Sequence, residues 1–242
     1  MRIGHGPEFI FLSNPKCGST SIRVLMNKYS DISAENNPQD PTYLMHVNAY
    51  ELKTYFEHEN YKDKTVGPWD SYYKFTTVRN PWKKMVSYYF FSAPDKEFRS
   101  VADIRQKIPV LGAKREEPIK YDPSTAFYHG FNPWLKHVMD GHGLPHYEYF
   151  CCDHDDPEKC LVDDVFKIEE IDEVLAPALK EHLNIEIKSV PDLNPDMGIT
   201  DLTSRYFNWK GDYYSLYNEE SQNIVAQVYC SDIDNFNYKF GE

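Results

Sequence analysis

The block Phe9-Ile10-Phe11-Leu12 is continuously apolar, gives way to the polar run from Ser13 to Ser21, and is followed by Ile22-Arg23-Val24-Leu25-Met26 with apolar positions at helical spacing. A short apolar run bounded by turn residues reads as a buried strand, and the periodicity after it as a helix over residues 19–29. The same order recurs further along. Residues 72–78 are dense in aromatic and β-branched side chains and predict a second buried strand, halted at Arg79-Asn80-Pro81. Asn80 suits an N-cap and Pro81 the first helical position, so a helix carrying Ser87 is expected next. Residues 164–168 predict a third buried strand with a helix over 171–182 after it. Helical patterns also cover 47–56, 133–139 and 219–230, while 31–41, 109–123 and 142–159 read as loops. Strands alternating with helices imply an α/β fold with a short, mainly parallel central sheet flanked by helices and a ligand at the carboxyl ends of its strands.

The length of 242 residues suits a single domain with a sizeable core, and 19 Tyr and 14 Phe supply core volume. There is no internal repeat and no low-complexity tract. Lys and Arg number 26 against 38 Asp and Glu, a formal charge of −12, which argues against nucleic acid as a partner. Any cationic ligand site must then be local and concentrated. No run approaches a membrane span and the first residues lack the apolar stretch of a signal peptide, so the expectation is a soluble, cytoplasmic or otherwise intracellular protein. Five cysteines at irregular spacing read as reduced thiols. Cys151, Cys152, His154 and Cys160 cluster, but without paired Cys-x-x-Cys units, so a hairpin-like acidic loop with incidental thiols is preferred over zinc. No metal is expected.

Chemistry concentrates where the first strand meets the first helix. The N–H groups that open a helix have no intrahelical partners and carry the positive end of its dipole. Gly18 allows close backbone approach, Ser19, Thr20 and Ser21 add hydroxyls, and Lys16 adds a full charge, so the loop suits a phosphate-like anion. It is not the nucleoside-triphosphate loop, which requires Gly-x4-Gly-Lys-Ser/Thr; here Lys16 precedes Gly18, and no glycine stands five positions upstream of Gly18. Arg79 ends the second strand and Ser87 lies two helical turns beyond Asn80. Both strand–turn–helix units open on the same edge of a parallel sheet, so they can grip two separated anionic groups of one ligand. Arginine suits a fixed bidentate grip and lysine a mobile point charge.

These residues bear a resemblance. Pro15-Lys16-Cys17-Gly18-Ser19-Thr20-Ser21 resembles the 5′-phosphosulfate-binding loop of sulfotransferases that use 3′-phosphoadenosine-5′-phosphosulfate (PAPS). The segment from Val78 to Tyr89 resembles the 3′-phosphate-binding segment of the same family. The nearest branch is the carbohydrate type, heparan and chondroitin enzymes included, whose late features resemble Glu169 after a strand and the closing Tyr229-Cys230-Ser231-Asp232. Cys17 replaces a commoner Thr, and Lys84 stands where Arg is usual. The resemblance implies a P-loop-like three-layer fold and a metal-free, in-line transfer of sulfuryl from PAPS to an acceptor hydroxyl. It implies Lys16 at the bridging oxygen, Cys17, Gly18, Ser19, Thr20 and Ser21 around the 5′-phosphosulfate, and Arg79 and Ser87 at the 3′-phosphate.

The resemblance also calls for a His or Glu base, and His46, at a loop-to-helix junction between the two motifs, is the candidate. The plain alternative is that His46 only opens a surface helix. His129 and His146 are weaker candidates. Glu169 and Glu170 read as a hydrogen-bonding anchor, and Arg205, Lys210, Lys114, Arg115 and Lys120 as solvated loop charges. The acceptor is expected to be a carbohydrate, chosen by the irregular region about 93–163. Protein tyrosine or a small-molecule hydroxyl, or a nucleotide-binding module without turnover, stay open as alternatives. The oligomeric state is left open.

Overall fold

The computed structural model describes residues 1–33, 45–57, 68–91, 130–141, 143–191 and 212–242. Two strands at the start, β1 (Arg2–Gly4) and β2 (Phe9–Leu12), form an antiparallel pair in which Ile3 faces Ile10. Helix α1 (Ser19–Met26) follows β2, and the two-residue strand β3 (Ile32–Ser33) returns along the free side of β1. Strand β4 (Tyr73–Val78) pairs in parallel with β2, and β5 (Asp164–Lys167) in parallel with β4. The sheet order is β3-β1-β2-β4-β5. The pairings make β1 the one strand that runs against the other four, so the open sheet is mostly parallel, as the alternating pattern predicts.

The chain divides into two compact units, Met1–Arg79 with Pro145–Asn194 and Asn80–Leu144 with Pro195–Glu242. The first contains the sheet. Residues of β2 alternate between its faces. Phe9 and Phe11 pack on one face with Ile22 and Met26 of α1, Phe75 of β4, and Leu175 and Leu179 of α6 (Ile171–Leu183). Ile10 and Leu12 pack on the other with Leu52 of α2 (Ala49–Glu57), Trp69 and Phe150. Every residue of β2 and β4 is buried, Lys74, Thr76 and Thr77 included, whereas those of β5 are only half-buried because it lies at the sheet edge, so the third strand is less buried than expected. Phe75 is the pivot of the first face, with ring centroids 5.1 Å from Phe11, 5.5 Å from Tyr73 and 6.2 Å from Phe166.

The second unit holds α3 (Pro81–Phe91), α4 (Phe131–Gly141), α7 (Glu219–Val228) and α8 (Cys230–Phe236). The expected Asn80–Pro81 start is there: Asn80 Oδ1 accepts from the N–H groups of Trp82 (3.1 Å) and Lys83 (3.3 Å). Aromatic edges bind these helices, with Tyr89 and Trp134 at 5.1 Å and Phe131 and Tyr217 at 4.7 Å. Lys84 is fully buried with its ammonium 5.3 Å from the Tyr229 ring, so it serves as a packed cation rather than a surface charge. Among the described residues no helix is long and apolar enough to cross a membrane.

Three features depart from the sequence pattern. β1 and β3 are too short to show a period, and only pairing defines them. The loop expected over 142–159 contains helix α5 (Tyr147–Cys151), capped by the His146 ring, which accepts from Tyr149 N–H at 3.4 Å, and held by the buried Phe150 and Cys151. The last helix, expected to reach Cys230, breaks at Tyr229, whose buried hydroxyl donates to the Leu144 carbonyl at 2.8 Å. Phe75→Ala opens the center of the first face and is expected to lower unfolding free energy by about 3–5 kcal/mol in urea denaturation; a loss below about 1 kcal/mol would contradict this view of the core.

Candidate active site

The end of β2 lies beside the end of β4, with Leu12 opposite Thr76, so the segments that follow them emerge at one edge. The loop after β2 is built by backbone geometry. Ser13 and Asn14 are fully buried, Cys17 N–H donates to the Asn14 carbonyl at 3.4 Å, and Lys16 (φ 60°) and Gly18 (φ 72°) both adopt the left-handed conformation. A lysine there is strained and must be held by its surroundings. Thr77 Oγ1 donates to the Cys17 carbonyl (2.7 Å), Thr76 Oγ1 to the Leu12 carbonyl (2.7 Å), and Arg79 Nη1 reaches the Lys16 carbonyl at 3.5 Å. β4 thus fastens the loop that β2 delivers.

Gly18 is required for a reason the sequence does not show. A Cβ there would lie 2.3 Å from Ile168 Cδ1, so the close approach is to Ile168, in the turn after β5, and not only to a ligand. Gly18 is also the N-cap of α1; no side chain caps this helix and no acidic residue lies in its first turn. The positive end of the dipole is left for an anion, flanked by Ser19, Thr20 and Ser21. Cys17 is fully buried with Sγ 3.3 Å from the Pro15 carbonyl, which leaves its backbone as its contribution to the loop surface. Among the buried side-chain atoms here that lack a hydrogen-bond partner are the Ser13 hydroxyl, both amide atoms of Asn14, and Nε of Arg79. Orphaned buried polar atoms are rare in folded proteins, and an arginine Nε in this position is a donor suited to an anionic oxygen.

His46 lies against this loop. Its Nδ1 is 2.6 Å from the Ser13 carbonyl, which can only accept, so Nδ1 carries the proton and Nε2 keeps its lone pair. Desolvation of the ring lowers its pKa from the ordinary value of 6.5; the Ser13 bond opposes this, while the positive charges of the chain terminus, Arg23 and Lys16 reinforce it. The neutral form, with Nε2 as acceptor, is therefore favored at neutral pH. Arg23, which the sequence pattern assigns only to the helix, donates through Nη2 to Thr20 Oγ1 at 3.2 Å and belongs to the same charged surround. The signal that was available for Thr76 and Thr77 is two adjacent hydroxyls in an otherwise buried strand, each of which needs a partner.

The structure therefore brings together Lys16, Cys17, Gly18, Ser19, Thr20, Ser21, His46 and Arg79 in the first unit. Ser87 lies two turns along α3, half-buried, in the second. Glu170 pairs with Lys167 (3.2 Å) and Glu169 is exposed. His129, Lys114, Arg115, Lys120, Arg205 and Lys210 lie outside the described residues. Among the described residues no group of three or more His, Cys, Asp or Glu side chains is arranged to hold a metal ion.

The sequence pattern of the sulfotransferase family matches residues 3–239, nearly the whole chain. The chain belongs to the sulfotransferase family. Membership supports sulfuryl transfer as the general chemistry, to a hydroxyl-bearing acceptor, and the family generally uses PAPS. No curated protein and no solved structure matches the chain.

Two outcomes are expected of this sulfotransferase-family site. In NMR titration His46 titrates below 6.5 as the Nδ1–H tautomer; an Nε2–H tautomer or a pKa above 6.5 would contradict the Ser13 contact. Gly18→Ala suffers both the positive φ and the Ile168 contact, and is expected to cost about 2 kcal/mol or more of stability in chemical denaturation, with a neutral result counting against this packing.

Proposed function

We propose that this chain transfers the sulfuryl group of PAPS to an acceptor hydroxyl, with a carbohydrate as the acceptor class. The observation that carries the reading is the fastening of the loop after β2 to the end of β4, through Thr77 to Cys17 and Arg79 to Lys16. Two anion-binding groups are thereby held at one edge of the sheet. The uncapped start of α1 and the orphaned Arg79 Nε fit a doubly anionic nucleotide. In this reading Lys16 to Ser21 hold the 5′-phosphosulfate, and Arg79, with Ser87, holds the 3′-phosphate.

PAPS, when bound, supplies an activated sulfuryl group and a nucleotide leaving group. The chain supplies positioning and charge, which dominate transfers of this kind. Lys16 places a cation where the leaving oxygen gains negative charge. His46 Nε2 receives the proton of the acceptor hydroxyl while the Ser13 carbonyl keeps Nδ1–H oriented, an arrangement in which the carbonyl steadies the imidazolium as it forms. Support for a carbohydrate comes from the branch that the two motifs resemble. It comes also from the aromatic surface around α2: His154 is stacked between Tyr50 (4.5 Å) and Tyr149 (4.9 Å), and Tyr149 is 48% exposed. Flat exposed rings of this kind suit the apolar faces of sugars.

The test is transfer of labeled sulfate from PAPS across glycans, tyrosine peptides and small alcohols. Lys16→Ala and His46→Ala are each expected to lower kcat about 100-fold or more, with His46→Ala retaining affinity for the desulfated nucleotide. Because the base works only when neutral and its pKa is depressed, kcat should stay level from pH 8 to 7 and fall below about 6.5 as His46 protonates. Full turnover by His46→Ala would remove it as the base. Transfer confined to peptides or small alcohols would overturn the carbohydrate assignment.

A further inference from the structure

The cluster that the proposed chemistry does not use is the hairpin after α5. Cys152 and Cys160 face one another as an isolated antiparallel bridge. The flanking backbone bonds are Asp153 N–H to the Lys159 carbonyl (2.9 Å) and Leu161 N–H to the Cys151 carbonyl (2.8 Å). Bonds on either side and none within the pair define the non-hydrogen-bonded kind of cross-strand site. There Cα atoms approach to about 4.5 Å and the side chains lie closest, inside the range a disulfide spans. The Cys160 thiol lies 3.4 Å from the Val162 carbonyl and 3.8 Å from the Cys151 carbonyl, within the hairpin itself. Both are free, Cys152 is nearly buried, and Cys160 is exposed to reagents. Cys151, the fully buried last residue of α5, is not the one the bridge sets opposite Cys160.

We infer that Cys152 and Cys160 are a disulfide-forming modification site, closed by exchange with a low-molecular-weight disulfide such as oxidized glutathione. The Cys160 thiolate attacks one glutathione sulfur, forming a mixed disulfide and releasing one glutathione thiolate. The Cys152 thiolate then attacks Cys160 Sγ, forming the cross-strand bond and releasing the second. The two cysteines lose two protons and two electrons, and one oxidized glutathione becomes two reduced ones. Burial holds the Cys152 thiol up at about 11, which leaves the first attack to the exposed Cys160. The bond would clamp the turn that carries His154 and Asp155, both of which hold Tyr50 at the start of α2, the latter by a 3.0 Å hydrogen bond. Closure therefore stiffens the hairpin whose His154 and Asp155 already hold the helix that follows His46, and the inference stands independently of the acceptor.

The experiment is incubation of the full chain in glutathione buffers of rising oxidized fraction, followed by alkylation and peptide mapping. The expected result is a Cys152–Cys160 linkage, a fall from five alkylatable thiols to three, reversal by dithiothreitol, and an upward shift of several degrees in the thermal midpoint. Cys151→Ser should still form the link, whereas Cys160→Ser should not. Linkage through Cys151, a lasting glutathione adduct on Cys160, or no reaction in the most oxidizing buffer would each overturn the inference in the wild-type chain.

Discussion

The hydrogen bond from Thr77 Oγ1 to the Cys17 carbonyl, 2.7 Å long and buried, decides where the rest of the site can be. It ties a loop containing two left-handed residues to the rigid middle of a parallel sheet. Together with the Arg79 contact to the Lys16 carbonyl, it restrains the strained Lys16 conformation. Gly18 then fits against Ile168, which turns the first helix so that its uncapped N-terminus opens at the sheet edge. Arg79 arrives at the same edge because β4 is parallel to β2 and in register with it. His46 is placed by the Ser13 carbonyl, one residue beyond the end of β2. A single strand pair thus positions the loop, Arg79 and His46.

Electrostatics follow from that placement. The whole chain carries a formal charge of −12, yet Lys16, Arg23 and Arg79 gather around a helix start that has no acid in its first turn. Each is tied to the loop or its helix: Arg79 to the Lys16 carbonyl and Arg23 to Thr20. This local excess both suits an anionic nucleotide and discourages protonation of His46.

Much of this was legible in the sequence because the informative elements are locally determined. The strands at 9–12 and 73–78 are buried on both faces, and the first announces itself as an apolar run and the second by its aromatic and β-branched residues. Asn80-Pro81 is self-sufficient as a helix start. The Lys16 loop and Arg79 are named by residue type. What the sequence concealed depends on partners distant along the chain. β1 and β3 exist through pairing, α5 through the burial of Phe150, and the need for Gly18 through Ile168, 150 positions away. His46 could be proposed from its place in the chain, but its tautomer rests on the Ser13 carbonyl, which no spacing rule supplies. A hairpin-like loop around Cys152 and Cys160 was expected from the sequence, but not that the two cysteines face one another across it.

The central claim is that two separated anion grips, at Lys16 to Ser21 and at Arg79, hold one nucleotide. Calorimetric affinities for 3′-phosphoadenosine-5′-phosphate and for adenosine 5′-monophosphate test it most directly, since the two differ only in the 3′-phosphate. The wild-type chain is predicted to prefer the former by about 10–100-fold, the worth of one charge-assisted contact, and Arg79→Met to lose that preference while still binding the monophosphate. An equal preference in Arg79→Met, or tighter binding of magnesium-ATP than of either ligand, would contradict the account.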